Sequence, residues 1–168
     1  MRNTAVGQDA LGALNNNTAD DNVAVGSYAG DGITGGTDNV AVGSYALSAA
    51  ATADNVAIGR DALFAFTGSN ATAIGSGAAD AATDATLLTA VGYNSLGAVI
   101  GGLENTGIGY DAGRSITTGD YNTALGAQAL SVSNVDALRN TAIGRGALAS
   151  GACVNDNTAV GFGALDVF

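Results

Sequence analysis

Several residue types are missing from this sequence. Its 168 residues include no proline, tryptophan, histidine or lysine, and only one cysteine and one methionine. Without histidine there is no Ser-His or Cys-His pair, and without lysine there is no amine to act as a base or form a Schiff base. The single cysteine, Cys153, leaves no partner for an intrachain disulfide and no ligand set for zinc. We therefore expect a non-enzymatic protein without a cofactor or metal centre.

Positive charge is also scarce. All five basic residues are arginines, against fourteen aspartates and one glutamate, and the net charge is −10. Nucleic acids and anionic membrane surfaces require a basic face, so neither is expected as a partner. The longest uncharged run, 85–103, contains four glycines and several polar residues. We therefore predict no membrane insertion, and we interpret the acidity as a source of solubility and of repulsion between fibres.

What the sequence does contain is a short repeat, a triplet of alanine, an apolar residue and glycine that recurs ten times, with glycine in place of the alanine in one copy. The spacing between successive glycines is 16–19 residues, about 17 on average. A fixed short period indicates a repeat architecture, here a single domain spanning residues 1–168. We number each repeat from its glycine as position 0; these glycines are Gly7, Gly26, Gly43, Gly59, Gly75, Gly92, Gly109, Gly126, Gly144 and Gly161.

The residues around each glycine predict strands and corners. Position −3 is Thr or Val, −2 is almost always Ala, and −1 is Val, Ile or Leu. This alternation is typical of a strand with β-branched residues on one face and alanine on the other. The glycine fits a corner with positive φ, and Asn at position −4 fits a turn in left-handed geometry. A second short strand is expected through the Ala-Leu pair at positions +3 and +4.

Stacking these units in register predicts an all-β, parallel β-solenoid, a rod about 45–50 Å long. In so small a turn, alanine should fill the interior and the larger residues should point outward as an apolar stripe, which favours a homotrimer of parallel rods. The reverse assignment, with the larger residues inside, would give a monomer. The predicted trimer-face ladder consists of Val6, Val25, Val42, Ile58, Ile74, Val91, Ile108, Leu125, Ile143 and Val160.

The unit Asn-Thr/Val-Ala-Val/Ile-Gly-x-x-Ala-Leu resembles the head repeat of trimeric autotransporter adhesins, the YadA-like head. It is even more similar to the repeat of bacteriophage and viral tail-fibre proteins. The resemblance covers residues 3–165. It implies a left-handed parallel β-roll in a homotrimer that acts in attachment at a virion or cell surface. The period of about 17 residues is longer than that of the adhesin head, so the loop path is expected to differ.

Four tyrosines lie one or two residues beyond a repeat glycine and should occupy one corner of the rod: Tyr28, Tyr45, Tyr93 and Tyr110. Exposed tyrosines on a rigid surface suit contact with a cell-surface glycan or protein receptor. The alternative is that they pack against a neighbouring subunit. Both interpretations remain open at this point.

The repeat residues allow two further interpretations. Asp-Asn pairs such as Asp38-Asn39 could supply oxygens for calcium, but capping of turns explains them better. Threonine at position −3 could form an ice-binding ladder, although valine replaces it in three consecutive repeats. We expect an extracellular structural fibre module, and as alternatives an extracellular filament subunit joined end to end or an ice-binding β-solenoid.

Overall fold

The computed structural model describes residues 2–14, 18–131, 136–150 and 155–166; Cys153 lies outside them. Ten three-residue strands form one parallel sheet in chain order. No helix occurs among the described residues, and the predicted all-β parallel solenoid is confirmed. The strands are β1 Thr4–Val6, β2 Val23–Val25, β3 Val40–Val42, β4 Val56–Ile58, β5 Thr72–Ile74, β6 Thr89–Val91, β7 Thr106–Ile108, β8 Thr123–Leu125, β9 Thr141–Ile143 and β10 Thr158–Val160.

Each repeat forms one coil, and equivalent residues of successive coils lie directly above one another. The central alanines pair in register, as Ala24 does with Ala41. The repeat glycines form a column in which φ ranges from 123° to 139°. A Cβ added to Gly43 would lie 2.6 Å from the carbonyl oxygen of Gly59 in the next coil. The predicted glycine corner therefore requires both positive φ and close backbone approach.

The predicted second strand is wrong, because turns follow the glycine instead. Tyr45 and Leu47, at positions +2 and +4, have φ of 57° and 52°. Left-handed residues at alternate positions bend the chain too tightly for an extended strand. The coils are nevertheless joined here, since the Tyr45 N–H donates to Ser27 O at 3.0 Å and the Leu47 N–H donates to Ala62 O at 2.9 Å.

The interior contains more than alanine, which corrects another expectation. Alanines at positions −2 and +3 are buried as predicted, but so are leucines at position +4, such as Leu47 and Leu63. A further column at position +7 is buried as well, and it includes Ile33, Phe66 and Ile116. Because turns rather than a second sheet face the strands, the coil is wide enough for these side chains.

Glycine at position +4 is matched by isoleucine at position +7. A Cβ on Gly30 would lie 2.9 Å from Leu11 Cδ2 and 3.1 Å from Ile33 Cδ1. Gly113 has the same relation to Leu96 and Ile116. The isoleucine and the preceding leucine therefore fill the space that a leucine at +4 occupies in other coils, which keeps the interior closely packed.

Asparagine at position −4 is buried and forms a ladder that the sequence did not predict. Asn39 donates from its backbone N–H and its Nδ2 to Asn22 Oδ1, at 3.1 and 3.0 Å. Its Nδ2 also donates to Thr52 O at 3.0 Å. The left-handed residue of this turn is the one before it, Asp38, with φ 58°. The turn is predicted correctly, and Asn122 and Asn157 also donate to the backbone of their own turn, but the ladder to the neighbouring coil is not predicted.

The asparagine ladder is interrupted in the middle of the rod. One ladder runs through coils 1–4 and ends where Asn55 Oδ1 accepts the Ala71 N–H at 3.0 Å. A second begins at Asn105 in coil 7 and continues to the last coil. Coils 5 and 6 carry Ala71 and Leu88 at position −4, and both are buried. An apolar layer therefore separates two hydrogen-bonded segments.

Two exceptions to the repeat pattern are neighbours in space. Ser95 is the serine that replaces alanine at position +3, and Gly107 is the glycine that replaces alanine at −2 in the next coil. The Ser95 hydroxyl donates to Gly107 O at 2.8 Å. A Cβ on Gly107 would lie 2.6 Å from Ser95 Oγ. The larger residue in one coil is thus accommodated by the smaller one in the next.

Candidate functional site: the outward sheet face and the tyrosine pairs

The outward face of the sheet carries the predicted ladder at position −1. Along a typical strand such as β4 the central alanine is buried, the residue at −1 is exposed and the residue at −3 is half-buried. Val42, Val91 and Ile143 are half-buried, and the other seven ladder residues expose 37–66% of their surface. The larger side chains therefore point outward and not into the coil. None of the ten strands carries a charged residue.

The second column of this face, at position −3, changes composition along the rod. Coils 2–4 carry valine, whereas coils 5–10 carry an unbroken run of threonine. Successive strands are about 4.8 Å apart, so side chains of one kind repeat at that interval. The face thus combines a mixed Thr/Val column with a fully apolar one.

The structure places the four predicted tyrosines in two separate pairs. Tyr28 and Tyr45, at position +2, stack with ring centroids 5.0 Å apart and an interplanar angle of 4°. Tyr93 and Tyr110, at position +1, stack at 5.7 Å and 11°. The four tyrosines therefore occupy two neighbouring columns, +1 and +2, beyond the glycine corner. The +1 column borders the sheet face, with only the repeat glycine between it and the −1 ladder.

The Tyr28–Tyr45 pair has neighbours that the sequence analysis missed. Phe64 packs edge-to-face against Tyr45, with centroids 6.3 Å apart. Gln8 Nε2 donates to Tyr28 Oη at 3.1 Å. The Asp9 carboxylate is the main cause that raises the pKa of Tyr28, and burial and Asp31 contribute. Phe64 lies at position +5. The sequence alone does not show that columns +2 and +5 are adjacent, so this contact could not be predicted.

The acidic residues mostly serve turns and contacts between coils. Arg139 Nε lies 2.6 Å from Asp156 Oδ1, and this hydrogen bond lowers the pKa of Asp156 and raises that of Arg139. The Arg2 backbone N–H donates to the side chain of Asp20 and holds the pKa of that carboxyl low. Both contacts join neighbouring coils at the surface, where ion pairs contribute little stability.

The described residues hold no cluster of metal-ligating side chains. They contain no group of three or more Cys, Asp or Glu side chains placed to hold a metal ion. Asp111 is buried, but it accepts from Asn94 Nδ2 at 2.9 Å and lies 3.5 Å from Arg114 Nη1. What this arrangement supports is contact with other molecules through the sheet face and the aromatic pairs.

Comparison with known proteins adds no identification. No protein-family model, curated protein or solved structure matches the chain. Within the part of the chain that the structure describes, no helix is long and apolar enough to cross a membrane. The similarity to adhesin heads and tail fibres therefore stays a prediction, and the functional argument depends on the geometry of the chain itself.

Proposed function

We propose that this chain is a non-enzymatic structural module, a β-solenoid rod that associates in parallel with two further copies. The trimer serves as an extracellular fibre, as a spacer or an attachment surface on a virion or cell. The observation that carries the proposal is the outward sheet face. The sequence has five basic and fifteen acidic residues, yet none lies at positions −3 or −1 of any coil. A continuous apolar stripe of this kind is typical of an interface.

The dimensions of the face favour a narrow contact that includes its borders. Ten strands span about 43 Å, and two side-chain columns are about 10 Å wide, so the face covers roughly 400 Å². Stable interfaces bury about 800 Å² per partner. The columns that border the face, positions −5 and +1, would therefore need to take part.

These two border columns match each other at equal heights in coils 4 and 6, whereas coil 9 carries arginine on both borders, Arg139 and Arg145. In coil 6, Leu87 at position −5 and Tyr93 at position +1 are 56% and 58% exposed. In coil 4 the corresponding residues are Asp54 and Arg60, which have opposite charge. If the +1 border of one copy meets the −5 border of the next in parallel register, apolar meets apolar and acid meets base.

A closed ring of three copies uses this match at every seam. Each narrow face points to the three-fold axis, and each copy contacts its two neighbours through the same pair of borders. An antiparallel pair of copies would reverse the heights. It would set Leu87 against coil 5, whose border residues Asn70 and Ser76 are polar.

Sedimentation equilibrium of the full chain tests the proposal. We expect a mass three times that of the 16.2 kDa chain. Replacing Ile74 by glutamate puts a charge on the sheet face, and this variant should sediment as a monomer with its β-sheet circular dichroism unchanged. The control, Gln128→Glu, adds the same charge away from the face and should remain trimeric. A parent chain that is monomeric at micromolar concentration would refute the proposal.

Ice binding is the second candidate, because one observation favours it. A flat parallel sheet displays six threonines in consecutive coils beside an apolar column, and regular arrays of this kind can match an ice surface. The valines of coils 2–4 restrict such a surface to the second half of the rod. Thermal hysteresis of the parent chain would detect this activity. The threonines are Thr72, Thr89, Thr106, Thr123, Thr141 and Thr158.

A further inference from the structure

A second surface lies on coils 1–4, around the corner from the sheet. It combines the +2 and +5 columns, which are adjacent, as the Asp111–Arg114 contact in coil 7 shows. Along the +2 column two tyrosines are flanked by an aspartate at each end. We call this surface the aromatic–acidic patch; it consists of Asp9, Tyr28, Asp31, Tyr45, Asp61 and Phe64.

The aromatic rings of the patch cover one another's faces. The rings of Tyr28 and Tyr45 are nearly parallel and stacked, with centroids 5.0 Å apart. The ring of Phe64 meets that of Tyr45 at an interplanar angle of 70°. Gln8 bonds to the hydroxyl of Tyr28 on the side of coil 1. A pyranose needs an open ring face for stacking, and this cluster offers mainly ring edges and hydroxyls. The arrangement therefore disfavours a neutral glycan as the ligand.

The charge of the patch is negative. Asp9, Asp31 and Asp61 supply three carboxylates, and Arg60 is the arginine that contacts one of them, with Nε 3.4 Å from Asp61 Oδ2. Oδ1 of Asp31 is buried and accepts no hydrogen bond from the described residues. Its carboxylate thus has acceptor capacity that these residues do not use. The raised pKa of Tyr28, caused chiefly by Asp9, agrees with a negative potential at this place.

We propose that the aromatic–acidic patch binds basic side chains, arginine above all, of a partner protein. A guanidinium can donate to a carboxylate in a bidentate fashion and to a tyrosine hydroxyl at the same time. The patch offers both kinds of acceptor within one cluster. The lysine ammonium carries the charge but cannot form the bidentate pair, so arginine should bind more tightly.

The geometry also sets the spacing of the two basic groups. The carboxylates of coil 1 and coil 4 are three coil spacings apart, which is about 14 Å. Arginines four residues apart in an extended peptide are separated by about the same length. The patch should therefore select a segment with this spacing, oriented along the rod. Because the patch does not include the sheet face, the proposal holds whether the rod is monomeric or trimeric.

Isothermal titration calorimetry of the full chain tests the proposal with acetyl-Arg-Ser-Gly-Ser-Arg-amide as the probe. The test variants are Asp9→Asn, Asp61→Asn and Tyr45→Ala; asparagine tolerates the left-handed geometry of both aspartates, whose φ values are 52° and 59°. We expect the Kd to rise about tenfold or more in each, which corresponds to the loss of one charged or aromatic contact. The same peptide with glutamate in place of arginine should not bind.

Two control variants distinguish binding at the patch from nonspecific attraction of the basic peptide to an acidic protein. Asp84→Asn removes one exposed carboxylate elsewhere, and Phe162→Ala removes an exposed ring from coil 10. Both should bind the arginine peptide with less than a twofold change in Kd. Equal weakening by Asp84→Asn and Asp61→Asn would overturn the proposal, as would failure of the parent chain to bind the peptide. Binding of maltohexaose that is lost in Tyr45→Ala would overturn it in favour of a glycan.

Discussion

Replacing Gly107 by alanine should destabilise the solenoid, and replacing Ser95 by alanine at the same time should restore part of the lost stability. The added Cβ of Ala at 107 would lie 2.6 Å from Ser95 Oγ and 2.7 Å from Leu96 Cγ. Overpacking of this kind costs about 1–3 kcal/mol. Within a strand, alanine is more favourable than glycine by about 0.5–1 kcal/mol, so the free energy of unfolding should fall by about 1–2 kcal/mol in total.

Ser95→Ala alone should also destabilise the solenoid, but for a different reason. It removes the hydrogen bond from the Ser95 hydroxyl to Gly107 O and leaves space beside the glycine. A hydrogen bond of this type contributes about 0.5–1.5 kcal/mol. In the double variant the contact with Ser95 Oγ and the space beside residue 107 both disappear, because alanine at both positions reproduces the pair formed by Ala46 and Ala57 in coils 3 and 4.

The measurement is a double-mutant cycle. Urea denaturation followed by circular dichroism gives the global stability, and native-state hydrogen exchange of the amides in coils 6 and 7 gives the local stability. The local value is needed because long repeat arrays do not always unfold in one step. We expect a coupling free energy of about 1–3 kcal/mol, with the double variant more stable than Gly107→Ala alone. Additive effects of the two substitutions would refute the reasoning.

Three more predictions follow from the interior, the surface and the assembly. Asn39→Ala should cost about 2–4 kcal/mol, because it leaves buried donors and an acceptor in two neighbouring coils without a partner; a loss below 1 kcal/mol in urea denaturation would contradict the ladder's role. Burial raises the pKa of Asp80, so its neutral form favours the fold, and that contribution is lost as the pH rises through the folded-state pKa. Asp80→Asn should therefore raise the Tm at pH 7, with the difference vanishing near pH 3, and an equal difference at both pH values would disprove this cause. In a Cys153→Ala background, Asn70→Cys with Ser76→Cys should give disulfide-linked trimers on a non-reducing gel. These positions flank a strand that alone spans about 10 Å, too far for a bridge within one chain, and only monomers after oxidation would contradict the parallel ring.

The outward and inward columns of the strand could be predicted because they depend on a two-residue period. Val25 and its neighbour Ala24 differ in size, and only the smaller fits against the turn that closes the coil. The corner at Gly43 could be predicted for a similar reason, since no other residue fits beneath the carbonyl of the next coil. These constraints act within a few residues, so they appear in the sequence itself.

The remaining features depend on how one coil contacts the next. Asparagine at position −4 was interpreted as a turn residue because asparagine often bonds its own backbone, and the sequence does not show that Asn39 faces Asn22. The buried column at position +7, with Phe66, was missed because its residues vary from Leu to Ala between coils. Leu47 was placed in a strand, since nothing in a leucine suggests positive φ.

The gap in the asparagine ladder has a mechanical consequence. Within each ladder, every asparagine after the first donates its side-chain amide to the asparagine of the preceding coil, so the amides are aligned and polarise one another. Between them, at Ala71 and Leu88, position −4 contributes only packed hydrocarbon, and no asparagine amide joins the coils there. A rod pulled along its axis should unfold first at this level, leaving two solenoid segments of similar length. Cooling should weaken the apolar layer at Ala71 and Leu88 more than the two asparagine ladders, because burial of hydrocarbon is less stabilising at low temperature.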